Sequence, residues 1–230
     1  MLETIIQKRG VQLSLSAKMF EPQRKPSLRL LCVILHRLKQ LNSKRIKIEE
    51  KMAKKVVVLS GSPRRGGNSD LLCDRFVDGA REAGNEVEKI FVRDKKINYC
   101  TGCGTCLNGS KPCPQKDDMA GISDKMIAAD IIVMATPVYF YTMNGQMKTL
   151  IDRTCARYTE INDKKFYFII TAADENKKML ERTLEEFRGF TYCLEGAKEK
   201  GVIYGTGVWE KGEVLDKPFM NEAYKMGLSI

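Results

Sequence analysis

Histidine is almost absent from this chain: among 230 residues there is one, His36. Without a second imidazole, neither a Ser-His-Asp triad nor a histidine-ligated metal centre can be assembled in the body of the protein. Long apolar runs are missing too. The longest before residue 52, LLCVIL at 30–35, is far too short to cross a bilayer, and no small-residue cleavage site follows it. Neither a membrane span nor a secretory leader is expected, so the eight cysteines are read as thiols of a reducing, cytoplasmic compartment, doing metal or redox work rather than stapling the fold.

Acidic residues are scarce only at the start. Residues 1–51 hold 12 Lys/Arg against 4 Asp/Glu, a net charge of +8, whereas 52–230 hold 27 against 25, a net +2. The overall +10 is therefore a property of a basic N-terminal extension, and no nucleic-acid or membrane partner is expected for the rest. Within that extension Leu28, Leu31, Leu35 and Leu38 recur at helical spacing, which suits a short basic helix on an otherwise loosely attached tail. Met52 followed by AKKVVVLSGS reads as the natural start of a domain spanning 52–230.

From residue 54 onward, apolar strand patterns alternate with helical ones. Strands are predicted at 54–60, 85–92, 129–139, 164–172 and 201–208, with helices at 69–83, 118–129, 145–158, 176–197 and 217–227. Strands that are apolar throughout, separated by helices, imply an α/β fold with a parallel sheet covered on both faces. Five such strands, the first ending in an anion-binding loop, suit the flavodoxin-like order 2-1-3-4-5, with a ligand beyond the carboxyl ends of strands one and three.

Three loops at that edge carry the chemistry. SGSPRRGGNS at 60–69 leads from strand to helix, where free backbone N–H groups and the helix dipole attract an anion. Gly61, Gly66 and Gly67 allow close approach, the hydroxyls of Ser62 and Ser69 and the amide of Asn68 can donate, and Arg64 adds a charged fork. The loop lacks both GK[ST] and GxGxxG, so a monophosphate fits better than a triphosphate or dinucleotide. Its plainer reading is a turn with a helix cap. TPVYFYTMNGQMKTLIDR at 136–153 leaves the third strand through Pro137, with Val138, Tyr139, Phe140 and Tyr141 offering flat apolar surface for a ring system, or simply a cap on the core or a subunit contact. TAADEN at 171–176 leaves the fourth strand at the same edge. Lys148, Asp152 and Arg153, on the helix at 145–158, are given packing or dimer roles.

The segments SGSPRxGGNS, the cysteine stretch ending in KDDM, and ATPVYFYxMxGQMKTLIDR occur in that order. On them the chain from about 52 to its end resembles the flavodoxin-fold NAD(P)H-dependent FMN reductases, and CTGCGTCLNGSKPCPQKDDM at 100–119 resembles their iron-sulfur flavoprotein branch. The resemblance implies an FMN-dependent oxidoreductase, with NAD(P)H passing hydride to the flavin and a quinone, free flavin or other small molecule as acceptor. It also implies a phosphate held by Ser62, Arg64, Asn68 and Ser69, and a ring held by Pro137, Val138, Tyr139, Phe140 and Tyr141. Ser60, Thr171 and Ala172 complete the expected cofactor contacts. No side chain is expected to act as acid or base, and a homodimer or homotetramer is expected to close the pocket.

Cys100, Cys103, Cys106 and Cys113 form C-x2-C-x2-C-x6-C followed by Pro114. Three thiolates two residues apart and a fourth nearby suit a [4Fe-4S] cluster, which would make the protein a carrier fed by ferredoxin. A zinc knuckle and cluster-free thiols are the other readings. Cys73, Cys155 and Cys193 fall in helical patterns and are expected as small buried hydrophobes.

Overall fold

The apolar runs read above become the strands of one sheet. A computed structural model of the protein describes residues 53–107 and 112–230, together with Arg37. Apart from Arg37, the basic extension with its leucine-spaced helix and His36 lies outside the described residues. In chain order the elements are β1 (Lys55–Ser60), α1 (Asn68–Glu82), β2 (Glu86–Phe91), α2 (Met119–Ala128), β3 (Ile131–Tyr139), β4 (Thr142–Met143), α3 (Gly145–Arg153), β5 (Lys165–Thr171), α4 (Glu181–Tyr192), β6 (Lys198–Gly205) and α5 (Phe219–Leu228). The sheet order is β2-β1-β3-β5-β6, all parallel, and the short β4 pairs antiparallel with β3 alone. Leaving out β4, this is the flavodoxin-like order predicted from sequence.

Alternate strand residues point to opposite faces, so each strand feeds two cores. On one face Val57, Leu59, Ile132, Met134, Phe166 and Phe168 pack against α2, α3 and α4; on the other Val56, Val58, Ile131, Val133 and Ile169 meet α1 and α5. Phe168 stacks on Phe187 of α4 with ring centroids 4.8 Å apart. Burial of each such side chain stabilises the fold by about 1.5–3 kcal/mol. Helices α1 and α5 approach closely through glycines: a Cβ on Gly79 would lie 2.1 Å from the Tyr224 carbonyl oxygen, and one on Gly227 2.1 Å from that of Phe76. Among the described residues no helix is long and apolar enough to cross a membrane.

Several predicted boundaries move. The helix expected over 145–158 ends at Arg153 and continues as two 3-10 turns, Thr154–Ala156 and Tyr158–Glu160. There the Thr154 hydroxyl donates to the Ile151 carbonyl at 2.7 Å, a local bond that competes with the helical ladder. The helix expected over 176–197 opens as a 3-10 turn capped by Asn176 and is α only from Glu181 to Tyr192. The last strand starts three residues earlier than predicted, at Lys198, and stops at Gly205. It is an edge strand, where Lys198, Glu199 and Lys200 protect an open ladder rather than breaking a buried one.

The third strand ends at Tyr139, where its pattern ends, and starts two residues later than predicted, at Ile131. Pro137 does not mark the exit from β3 but sits inside it, paired with Thr171 of β5. Ala135 turns its carbonyl toward β1, where it accepts from Gly61 N at 2.8 Å, and Pro137, two residues on, faces the same side just where β1 has ended. No ladder donor is needed there, which is why proline is tolerated.

Candidate functional site

The sheet brings four loops to the carboxyl ends of its strands, and a cavity of ≈ 390 Å³ lies among them. Ser62, Pro63, Arg64, Asn68 and Ser69 form one wall; Pro137, Val138, Tyr139, Thr171, Ala172 and Ala173 form another. Three loops predicted to share a ligand therefore do share a cavity. Val208, Trp209 and Glu210, from the loop after β6, complete it. That fourth loop was not foreseen, although β6 must end at the same edge and Trp209 is the chain's only tryptophan.

The first loop is held from beneath. Asp70, almost fully buried in the first turn of α1, accepts from Ser60 Oγ and from Gly66 N, both at 2.8 Å, which fixes Gly66 at φ 65°. Lys89 of β2 lies 2.6 Å from Asp70 and 2.7 Å from Asp74. Burial pulls the Lys89 ammonium down, but its bonds to Asp70 and Asp74 prevail and carry it above its ordinary value. The carboxylate behind the loop is thus ion-paired and does not confront an anion in front of it. Ser60 belongs to this support and lies outside the cavity lining.

The first intrahelical bond of α1 runs from Leu71 N to Gly67 O, so the amides of Asn68, Ser69 and Asp70 have no helical acceptor. A Cβ on Gly67 would stand 2.7 Å from Ser62 Oγ, and one on Gly61 2.8 Å from the Ala135 carbonyl oxygen, so both positions require glycine. A tight glycine cradle, free first-turn amides and a nearby arginine fit the terminal phosphate of a mononucleotide. Two predicted contacts have other partners as well. Asn68 Nδ2 donates to the Glu210 carbonyl at 2.9 Å while its Oδ1 accepts from Gly212 N and Val214 N, and Arg64 Nη2 donates to the Trp209 carbonyl at 3.0 Å. Both side chains fasten the first loop to the fourth. Ser62 Oγ donates to the Arg64 carbonyl at 2.8 Å, shaping the loop from within.

The second loop is a hairpin rather than an irregular segment. Val138 pairs with Met143 and Tyr139 with Thr142, leaving Phe140 and Tyr141 as a two-residue turn with φ of 50° and 62°. Left-handed backbone costs a side-chain-bearing residue about 1–2 kcal/mol, so this turn holds two residues in an unfavourable state. It is tied down at both ends: Thr183 Oγ1 donates to the Tyr141 carbonyl at 3.2 Å and Met143 N to Glu186 Oε2 at 2.6 Å. Phe140 is 99% exposed, and neither it nor Tyr141 lines the cavity; of the five residues predicted for the ring, Pro137, Val138 and Tyr139 do. Asn144, buried at the base of the hairpin, caps α3 by accepting from Met147 N at 3.2 Å and donates to the Gly61 carbonyl, joining the first and second loops.

The cysteine loop leaves the sheet between β2 and α2. Cys100 and Cys103 are exposed, Cys106 and Cys113 half-buried, and no described cysteine is in a disulfide. Gly102 and Gly104 adopt φ of 63° and 70° with open space around them. The Thr105 hydroxyl, 3.4 Å from Cys103 Sγ, lowers that thiol's pKa. Among the described residues no three His, Cys, Asp or Glu side chains converge as a metal-binding group. The donor set itself, four thiols on a glycine-hinged loop, has the chemistry of a soft-metal or iron-sulfur site.

Behind the loop lies a buried ion pair. Arg153, at the end of α3, places Nη1 2.6 Å from Asp117 Oδ2 and Nη2 3.0 Å from Asp117 Oδ1, and both side chains are at most 2% exposed. Nη1 also donates to the Asn98 carbonyl at 2.7 Å, and Nη2 reaches Cys113 Sγ at 3.6 Å. Burial tends to raise the Asp117 carboxyl, but the Arg153 guanidinium and the Asn98 and Met119 amides hold it below its usual range. Lys148 and Asp152 form a surface pair at 2.5 Å, as a packing role would have it, but Arg153 anchors the cysteine loop. Cys73 is buried as predicted and its thiol is pushed up to about 12 by that burial, whereas Cys155 and Cys193 are exposed, contrary to expectation. The periodicity that suggested burial for those two ends before it reaches them, in a 3-10 turn and at a helix C-cap. Partial desolvation of Cys155, followed by the neighbouring Cys106 and Cys100, raises its pKa.

Known proteins resemble this chain in sequence and in fold. Over 99 residues the chain is 44% identical to an iron-sulfur flavoprotein of Archaeoglobus fulgidus, covering 43% of this chain and 44% of that one. It is 39% identical over 165 residues to an iron-sulfur flavoprotein of Methanocaldococcus jannaschii, covering 68% of this chain and 82% of that one. The chain spans about half the length of several curated relatives it matches. Its fold superimposes on the NAD(P)H:quinone oxidoreductase of Methanothermobacter marburgensis with a TM-score of 0.59 at 15% identity, over 77% of this chain and 97% of that one. Residues 54–190 match the family described as NADPH-dependent FMN reductase, and the chain belongs to that family.

Proposed function

We propose that this protein is an FMN-dependent oxidoreductase that takes electrons from NAD(P)H and passes them to a small acceptor such as a quinone or free flavin. One observation carries the reading: a single cavity is bounded by the anion-binding loop at 62–69 and by the apolar surface of Pro137, Val138 and Tyr139. Free amides of α1 and the Arg64 guanidinium bind the phosphate end. Pro137, Val138, Tyr139 and Ala172 would flank the ring end and shield it from water, with Trp209 completing the wall. When bound, the flavin supplies the hydride and electron chemistry, and the protein's task is to orient it and tune its surroundings. The test is direct: purified protein should show flavin absorbance, or acquire it on titration with FMN, and should then oxidise NADH or NADPH in the presence of a quinone. Protein that stays colourless after FMN is added would sink the proposal.

A second reading has its own support. Cys100, Cys103, Cys106 and Cys113 suit a [4Fe-4S] cluster, and curated relatives at 37–44% identity are called iron-sulfur flavoproteins. In this reading the cysteine loop holds the cluster and ferredoxin supplies electrons singly. Iron and sulfide analysis of anaerobically prepared protein, with reduction by ferredoxin compared against NADH and NADPH, separates the two.

A further inference from the structure

Among the described residues, Arg153 Nε is the one buried side-chain nitrogen or oxygen with no hydrogen-bond partner. A buried guanidinium donor left unpaired costs free energy, so its surroundings bear examination. The group carries five N–H donors in a rigid plane. Asp117 takes one hydrogen from each terminal nitrogen in an end-on pair, and the remaining hydrogen of Nη1 faces the Asn98 carbonyl, with Gln115 Oε1 at 3.4 Å. Two donors remain. The second hydrogen of Nη2 and the hydrogen of Nε lie on the same lateral edge of the plane, and it is Nη2 that lies 3.6 Å from Cys113 Sγ. The edge carrying the unpaired donor is therefore the edge at which the sulfur sits.

We propose that Arg153 is a positioning residue for the cysteine loop, whose lateral edge donates to the sulfur of Cys113 and raises the reduction potential of the iron-sulfur group that the four cysteines hold. This rests on the second reading above. Asp117 and the Asn98 carbonyl fix the guanidinium from the other sides, so the edge is aimed before any group binds. A hydrogen bond to a ligating sulfur withdraws electron density and favours the reduced, more negative state; such bonds are among the determinants of cluster potential. Lysine cannot replace this arrangement, because its single ammonium can pair with Asp117 but offers no second edge to the sulfur.

The test is an anaerobic redox titration followed by electron paramagnetic resonance, on wild type, Arg153→Lys and the double variant Arg153→Gln/Asp117→Asn. The double variant leaves no unpaired buried charge and guards against a single variant that fails to fold. Both variants should bind iron and sulfide as wild type does, while at a fixed poise the ratio of reduced to oxidised cluster falls about tenfold, equivalent to about 59 mV for one electron. The flavin potential should not move. Clusters present at unchanged potential would overturn the inference and leave the second reading standing. A wild-type protein without iron and sulfide would overturn that reading, and the inference with it. Variants that lose iron while the remaining clusters keep their potential would show a merely structural arginine and overturn the inference as well.

Discussion

Asn68 in the cavity wall and Asn144 at the base of the hairpin are both buried amides, and each serves two loops at once. Replacing Asn68 with alanine leaves the Gly212 and Val214 amides and the Glu210 carbonyl without their partner, so we expect a loss of about 1–3 kcal/mol in stability, read as a lower urea midpoint, together with weaker FMN binding in a fluorescence titration. Asp117→Asn removes one member of a buried pair and should destabilise the fold by about 3–5 kcal/mol at neutral pH. Asp117 has a folded pKa below 3.8, so its stabilising contribution is present above that value and disappears as pH falls through the lower folded one. Stability of the Asp117→Asn variant should accordingly vary less with pH in that acidic range, as urea midpoints measured between neutral and acidic pH would show. Ser62, Arg64 and Ser69 could be picked out of the sequence because their motif is local. Asn144, Asp117 and Arg153 could not, since their partners lie 83 or 36 positions away and only the folded sheet brings them together.

At the level of elements, strands were legible because a fully buried parallel sheet demands uninterrupted apolar runs, which few other structures do. The β3–β4 hairpin was hidden by Pro137 and by a turn built from Phe140 and Tyr141, where asparagine and glycine would be the ordinary choice. That choice yields a prediction. Phe140→Asn/Tyr141→Gly should relieve the left-handed strain and stabilise the protein by about 1–2 kcal/mol, visible as a higher unfolding midpoint. An unchanged or lower midpoint would show that Tyr141, rather than the turn geometry, dominates there. The α1–α5 crossing makes the opposite demand: Gly79→Ala or Gly227→Ala forces the helices apart and should cost about 1–3 kcal/mol or more in chemical denaturation. Nothing local marks either glycine in the sequence, because a glycine inside a helix is noticed only when its neighbour is known.

For the molecule as a whole, the sheet order was deducible because right-handed crossovers leave few topologies for alternating strands and helices. The fourth wall of the cavity was not, since β6 is an edge strand with a charged start and the sequence pattern misplaced it by three residues. If FMN occupies the cavity, binding must stabilise the folded state through mass action. At a hundred times its dissociation constant FMN should add about 2.7 kcal/mol, raising the thermal midpoint by about 5–10 °C for a body of this size. Riboflavin, lacking the phosphate, should give a distinctly smaller rise, and equal rises would refute the role given to loop 62–69. Asn68 and Arg64 have a kinetic corollary. Because they lash the glycine loop to the segment bearing Trp209, the two cannot open separately, and a cofactor lying across them must dissociate by one concerted motion instead of peeling away from head to tail.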